Sequence, residues 1–182
     1  DVFMAPPTTS FVIQGATVYD GTGTPGQRDD VAVCGDRIVA VGPSLPVAEG
    51  MVRIDARGLA LAPGFIDAHT HDDRAVMATP DMTFKVSQGV TSVIAGNCGI
   101  SLAPLAGVAP PPPLNLLGNL EHFKFGTMAE YFDAVEASPP AVNVAMLTGH
   151  STLRAGVMND LQRPATAAEI DRMGNAIDDA MA

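Results

Sequence analysis

Two histidines and one cysteine carry the chemistry that this chain offers. His69 and His71 flank Thr70 in the run Ala62-Pro63-Gly64-Phe65-Ile66-Asp67-Ala68-His69-Thr70-His71-Asp72-Asp73. On a strand, residues i and i+2 point to the same side, so both imidazoles can converge on one ion. Cys98 closes a second apolar run, Val90-Thr91-Ser92-Val93-Ile94-Ala95-Gly96-Asn97-Cys98-Gly99, at a spacing expected for a strand–helix–strand unit. Imidazole and thiolate together are zinc-type donors, which makes His69, His71 and Cys98 the candidate metal ligands. A lone His-x-His is a weak signal, and the thiol ending the next strand gives it weight. An inert buried thiol is the competing reading at Cys98, and it is the favoured one for Cys34, which sits within a predicted strand.

Other polar residues near these runs have less definite roles. For Asp67, Asp72 and Asp73 two readings stay open: carboxylates that orient the imidazoles, or caps of the turn into the next helix. His150 and Ser151 follow a third apolar run and either face the pocket or hydrogen-bond structurally. His122 falls in a long aperiodic stretch and reads as a solvated surface residue.

The elements that must position these groups change in texture near residue 60. Before it the chain reads as small β structure. A strand over 11–19 ends at Asp20-Gly21-Thr22-Gly23, and 31–34 and 37–41 form a hairpin about Gly35-Asp36. A further short strand covers 51–55. After residue 60 strands alternate with helices, the pattern of an α/β fold with a parallel sheet. Strands are predicted over 61–66, 90–95 and 142–147, and a helix over 80–88. Capping boxes at Thr127/Glu130 and Thr166/Glu169 open two more helices. In the last, Ile170, Met173, Ile177 and Met181 share one face and read as core filler. The stretch 99–126, with prolines at 110–113, shows no periodicity and is predicted to be a functional or mobile connection able to cover the metal ligands. Three strand–helix units cannot close a parallel barrel and leave an unpaired edge, so the chain is predicted to be a piece of a larger protein.

Composition removes several functions. With 20 acidic and 10 basic residues among 182, the net charge is −10, which argues against a nucleic-acid surface or an anionic membrane as partner. No apolar run reaches transmembrane length, and the start at Asp1–Pro7 does not read as a signal peptide. Two cysteines are too few for a disulfide scaffold, so a reducing, cytoplasmic setting is predicted. Tryptophan is absent, which leaves the core to aliphatic and Met side chains.

The run Pro63-Gly64-Phe65-Ile66-Asp67-Ala68-His69-Thr70-His71 resembles the first-strand signature of the metal-dependent amidohydrolase superfamily. Gly89 to Leu105, through Asn97-Cys98-Gly99-Ile100-Ser101, is more restrictive. Together with Gly149-His150-Ser151-Thr152-Leu153-Arg154 it resembles the N-acyl-D-amino-acid deacylases, or D-aminoacylases. The resemblance extends from about Phe11 over the rest of the chain. It implies a (β/α)8 TIM barrel flanked by a small β-sandwich. Residues 1–60 are then the first part of the sandwich, and 61–182 the first three strand–helix units of a truncated barrel.

The same resemblance implies a zinc-dependent hydrolase cleaving the amide bond of small-molecule N-acyl-D-amino acids to a D-amino acid and a carboxylate. His69 and His71 correspond to the more exposed metal position, and Cys98 to the thiolate holding or bridging the tighter zinc. Two further histidines and a general-base aspartate are expected beyond Ala182, since His122 and His150 match neither ligand. No catalytic base is therefore assigned within the chain, which is expected to need a C-terminal continuation for activity. A hydantoinase- or dihydroorotase-like amidohydrolase is the near rival, against which Cys98 counts. A non-catalytic truncated fragment is the rival from another class.

Overall fold

The structure is a computed structural model that describes residues 10–181, so the opening run Asp1–Pro7 and Ala182 lie outside the described range. The chain divides into two compact units, residues 1–63 and 64–182.

The first unit is a five-stranded sheet. Strand β1 (Ser10–Val18) lies at its centre, antiparallel to β2 (Gln27–Cys34) and parallel to the short β4 (Val52–Asp55) and β5 (Ala60–Leu61). Strand β3 (Arg37–Gly42) extends the sheet through a hairpin. Gly35, at φ +61°, takes the turn position that ordinary residues avoid. Pairing of β1 with β2 shifts register between Ile13 and Ala16. The buried carboxylate of Asp30 accepts from the Gly15 amide there (2.8 Å) and from the Leu45 amide (2.9 Å). Those donors, Leu45 first, hold its pKa below the usual carboxylate value. One face buries Val12 and Ala16. Phe11, Ile13, Val31, Val33, Ile38 and Val41 line an apolar cleft of about 400 Å³. Cys34 is not a buried core thiol: it ends β2 and is exposed.

The second unit is mixed α/β around a parallel sheet, β6 (Phe65–Asp67), β7 (Val90–Ala95) and β10 (Asn143–Met146), ordered β10-β7-β6. The strand predicted over 61–66 is broken. Leu61 pairs with β1 in the first unit, and Pro63-Gly64 interrupts before β6 begins. Proline cannot donate to a ladder, and a Cβ at Gly64 would collide with the Thr91 side chain. The helix predicted over 80–88 is shortened to a single turn within that span. Two single turns stand in this region, α1 (Ala75–Ala78) and α2 (Thr83–Val86), separated where fully buried Met82 adopts φ +43°.

The stretch 99–126 is folded rather than loose. It contains a 3-10 turn over Leu114–Leu116 and a small hairpin of β8 (Leu105–Ala106) and β9 (Lys124–Phe125). Its Leu102, Leu105, Leu114, Leu117, Phe123 and Phe125 are buried in the core with Val76, Met82, Tyr131 and Val135. The sequence hides this because the apolar residues follow neither a helix nor a strand period. Helix α3 (Met128–Ala137) starts on the predicted capping box, with Thr127 Oγ1 accepting from the Glu130 amide at 3.1 Å. Helix α4 (His150–Val157) follows β10 directly, so His150 opens a helix instead of ending a strand. Helix α5 (Ala167–Met181) begins on the second box, where Glu169 also pairs with Arg163 at 2.6 Å. Of its predicted core stripe only Met173 is buried, while Ile170, Ile177 and Met181 face solvent among the described residues. No described helix is long and apolar enough to cross a membrane.

Candidate metal centre

The chain leaves β6 at Asp67, so His69 and His71 lie just past the strand. Their side chains are turned outward by the residue between them. Thr70 is buried, and its amide and hydroxyl both donate to the Ile94 carbonyl of β7, at 3.0 and 3.1 Å. With Thr70 pinned inward, alternation leaves the imidazoles of His69 and His71 in solvent, ring centres 6.0 Å apart.

Cys98 sits in a 3-10 turn over Asn97–Gly99, directly after β7. The turn is set by backbone that side chains normally avoid. Gly96 has φ +78°, and a Cβ there would strike the Leu147 carbonyl. Cys98 itself has φ +55°, a left-handed conformation that costs about 1 kcal/mol or more for a residue with a Cβ. Buried Asn97 secures the turn by donating through Nδ2 to the Ile94 carbonyl (2.7 Å) and the Thr70 carbonyl (3.3 Å).

One ligand atom from each of His69, His71 and Cys98 falls within 4.8 Å of the others, and all three residues are exposed. The inert buried thiol therefore fails for Cys98, and the folded 99–126 stretch leaves the three side chains open to solvent. His69 Nε2 lies 3.2 Å from Cys98 Sγ, a hydrogen bond whose direction follows the imidazole tautomer. Tetrahedral zinc with N and S bonds of about 2.0 and 2.3 Å spaces its donors about 3.3 to 3.7 Å apart. The His69–Cys98 spacing of 3.2 Å is close to that range, and all three donors lie within 4.8 Å of one another. A zinc ion held here would require the Cys98 thiol to give up its proton. The donor set, two imidazoles and a thiolate with open space around them, fits a catalytic-type site with a free coordination position.

The neighbouring aspartates take neither of the two roles left open. Asp67 and Asp72 grip the ammonium of Lys85 at 2.7 and 3.0 Å, tying together the two ends of the His69–His71 segment. The Lys85 hydrogen bond holds the Asp67 pKa low. Burial works to lower that of Lys85, but its two carboxylate partners outweigh it and raise it. Asp73 is fully buried, and burial pushes its pKa up against the amides of Gly96 and Leu102 that donate to it. His122 is half-buried, accepting from the Asn119 amide through Nδ1 at 3.2 Å in a small cleft beside Arg74 and Lys124. Neither it nor exposed His150 joins the cluster. Sequence reasoning missed Lys85 and the bridging role of Asn97; the Asn-Cys-Gly run was visible, but its partner carbonyl lies 27 residues earlier.

The profile of the amidohydrolase family matches residues 53–182. The chain belongs to the amidohydrolase family. The chain is 54% identical over 171 residues to the D-aminoacylase of Alcaligenes xylosoxydans xylosoxydans, across 94% of its own length and 35% of that protein. To the N-acyl-D-aspartate deacylase of the same organism it is 53% identical, across 97% of the chain and 35% of that protein. It superposes with TM-score 0.90 and 53% identity on a D-aminoacylase structure determined to study a binuclear metal centre, covering 96% of this chain and 36% of that one. An N-acyl-D-glutamate deacylase from Bordetella bronchiseptica, in complex with zinc and a phosphonate mimic of the tetrahedral intermediate, matches with TM-score 0.83 and 42% identity over the same shares. The chain therefore spans about a third of the length of these relatives.

Proposed function

We propose that His69, His71 and Cys98 hold zinc, and that the chain forms part of a hydrolase that cleaves N-acyl-D-amino acids. The carrying observation is the convergence of three soft and borderline donors within 4.8 Å at the ends of adjacent parallel strands. The comparisons support the substrate class, since the similar proteins act on N-acylated D-amino acids. In this reading residues 64–182 contribute the first strands of a barrel, and 1–63 the first strands of a β-sandwich. A reducing compartment suits a chain whose two cysteines are both free.

The roles of the chain's own residues follow from the geometry. His69 and His71 bind as neutral imidazoles, and Cys98 gives up its proton and binds as thiolate. Thr70 and Asn97 fix the segments from which these donors project. A zinc ion held there would supply Lewis-acid chemistry toward an amide carbonyl and a water molecule, and exposure of the three residues gives a small substrate access. Overall, water adds to the acyl carbon, the C–N bond breaks, and a proton passes to the leaving amine. The products are a carboxylate and a D-amino acid.

A chimera tests this reading. The aligned segment of the D-aminoacylase is replaced by this chain, and the product is assayed with zinc on N-acetyl-D-methionine, N-acetyl-D-aspartate and their L-enantiomers. Hydrolysis of the D-substrates alone is expected, with loss of at least about a thousandfold on Cys98→Ala. A folded, zinc-loaded chimera that leaves all four amides intact contradicts the proposal.

A further inference from the structure

We propose that Asp73 and Asn97 form a reciprocal buried brace that sets the separation between the imidazoles of His69 and His71 and the sulfur of Cys98. The inference rests on reading those three residues as metal ligands. The donors arrive on two segments that are far apart in the chain, so a small sliding of one past the other would carry the sulfur beyond a zinc bond of about 2.3 Å. Two side chains cross between the segments in opposite directions. Asp73, two residues after His71, reaches to the cysteine loop. Its Oδ2 accepts from the Gly96 amide and its Oδ1 from the Leu102 amide, each at 3.3 Å, so the carboxylate clasps the loop on both sides of Cys98. Asn97, next to Cys98, reaches back and donates to the Thr70 carbonyl between the two histidines at 3.3 Å.

Residue type suits the task at both positions. Only a carboxylate presents two acceptors and no donor, which is what two converging amides need; an amide in its place would set N–H against N–H. Asp73 is itself held, because the Tyr131 hydroxyl donates to its backbone carbonyl at 2.8 Å. Burying a carboxylate is costly, and an aliphatic side chain would fill the space at less cost. That cost is understandable if the position must grip the loop. The side chains of both residues hydrogen-bond only to backbone groups, so they are positioning residues.

The test uses the full chain carrying Cys34→Ser, which removes the other exposed thiol. Asp73→Asn and Asn97→Ala are each titrated with cobalt(II), following the thiolate-to-cobalt charge-transfer absorption per bound metal. Zinc affinity is measured by chelator competition, and fold by far-ultraviolet circular dichroism. The expected result is a fall in charge-transfer absorption of at least about twofold and in zinc affinity of about 10- to 100-fold in both variants, with the dichroism retained. Three results overturn the brace: parent-like absorption and affinity in either variant; an effect in Asp73→Asn alone, which marks a charge effect; or loss of fold in both where the parent is folded, which marks a structural role only. The underlying ligand reading fails separately, and is recognised when the parent shows no thiolate absorption or Cys98→Ala keeps it.

Discussion

At the residue scale, what distinguishes the centre is how little of it is accidental. Thr70 is fixed by two bonds to one carbonyl, and that anchoring turns His69 and His71 toward Cys98. Removing one of those bonds by Thr70→Val is expected to lower stability by about 1 kcal/mol and to loosen metal binding, measured by urea unfolding and zinc competition. Lys85 ties both flanks of the same segment. Lys85→Met strands two part-buried carboxylates, and a loss of about 1–3 kcal/mol is expected in the same unfolding measurement, more than an exposed pair contributes. The donor atoms were legible in the sequence because His-x-His and the cysteine that ends the next strand are local patterns. The residues that aim them were not. Lys85 and Asn97 act across 18 and 27 positions, and no spacing rule links an ammonium or an amide to a partner that distant.

At the element scale, legibility follows the same division. Strands β1, β7 and β10 and the boxes that open α3 and α5 declare themselves through periodicity and capping chemistry. The 99–126 stretch does not, because it folds around single buried side chains in turns. Phe123→Ala there is expected to cost about 3–5 kcal/mol, a core-sized loss from a segment with a loop-like sequence; a loss under about 1 kcal/mol would show that the stretch lies outside the core. Met82 delays the start of one expected helix through a left-handed backbone, which composition does not announce. The start of α5 carries a pH dependence. Arg163 and the Thr166 amide hold the Glu169 pKa far below its ordinary 4.5. A depressed carboxylate stabilises fully above its unfolded pKa and loses that contribution as pH falls toward the folded value. The melting temperatures of the parent and of Glu169→Gln should therefore differ most near neutrality and converge progressively below pH about 4.5. A constant difference between pH 7 and 3 would contradict the assignment.

At the scale of the whole molecule, the chain carries much apolar surface for its size. The outer strands β6 and β10 are unpaired on one side among the described residues, and Phe65, Ile66, Leu147, Ile170 and Met181 are exposed. The β unit carries the apolar cleft as well. Surfaces of this kind associate. Sedimentation of the purified chain is expected to show concentration-dependent self-association, and thermal unfolding to be broad; a monomer with a sharp two-state transition would contradict this. The relatives it matches are about three times as long as this chain. The proposed centre is local: one zinc ion bound by two imidazoles and one thiolate. X-ray absorption at the zinc edge tests it most directly. Nitrogen scatterers are expected at about 2.0 Å and one sulfur at about 2.3 Å, the sulfur vanishing in Cys98→Ala. A shell of nitrogen and oxygen alone in the parent chain would contradict it.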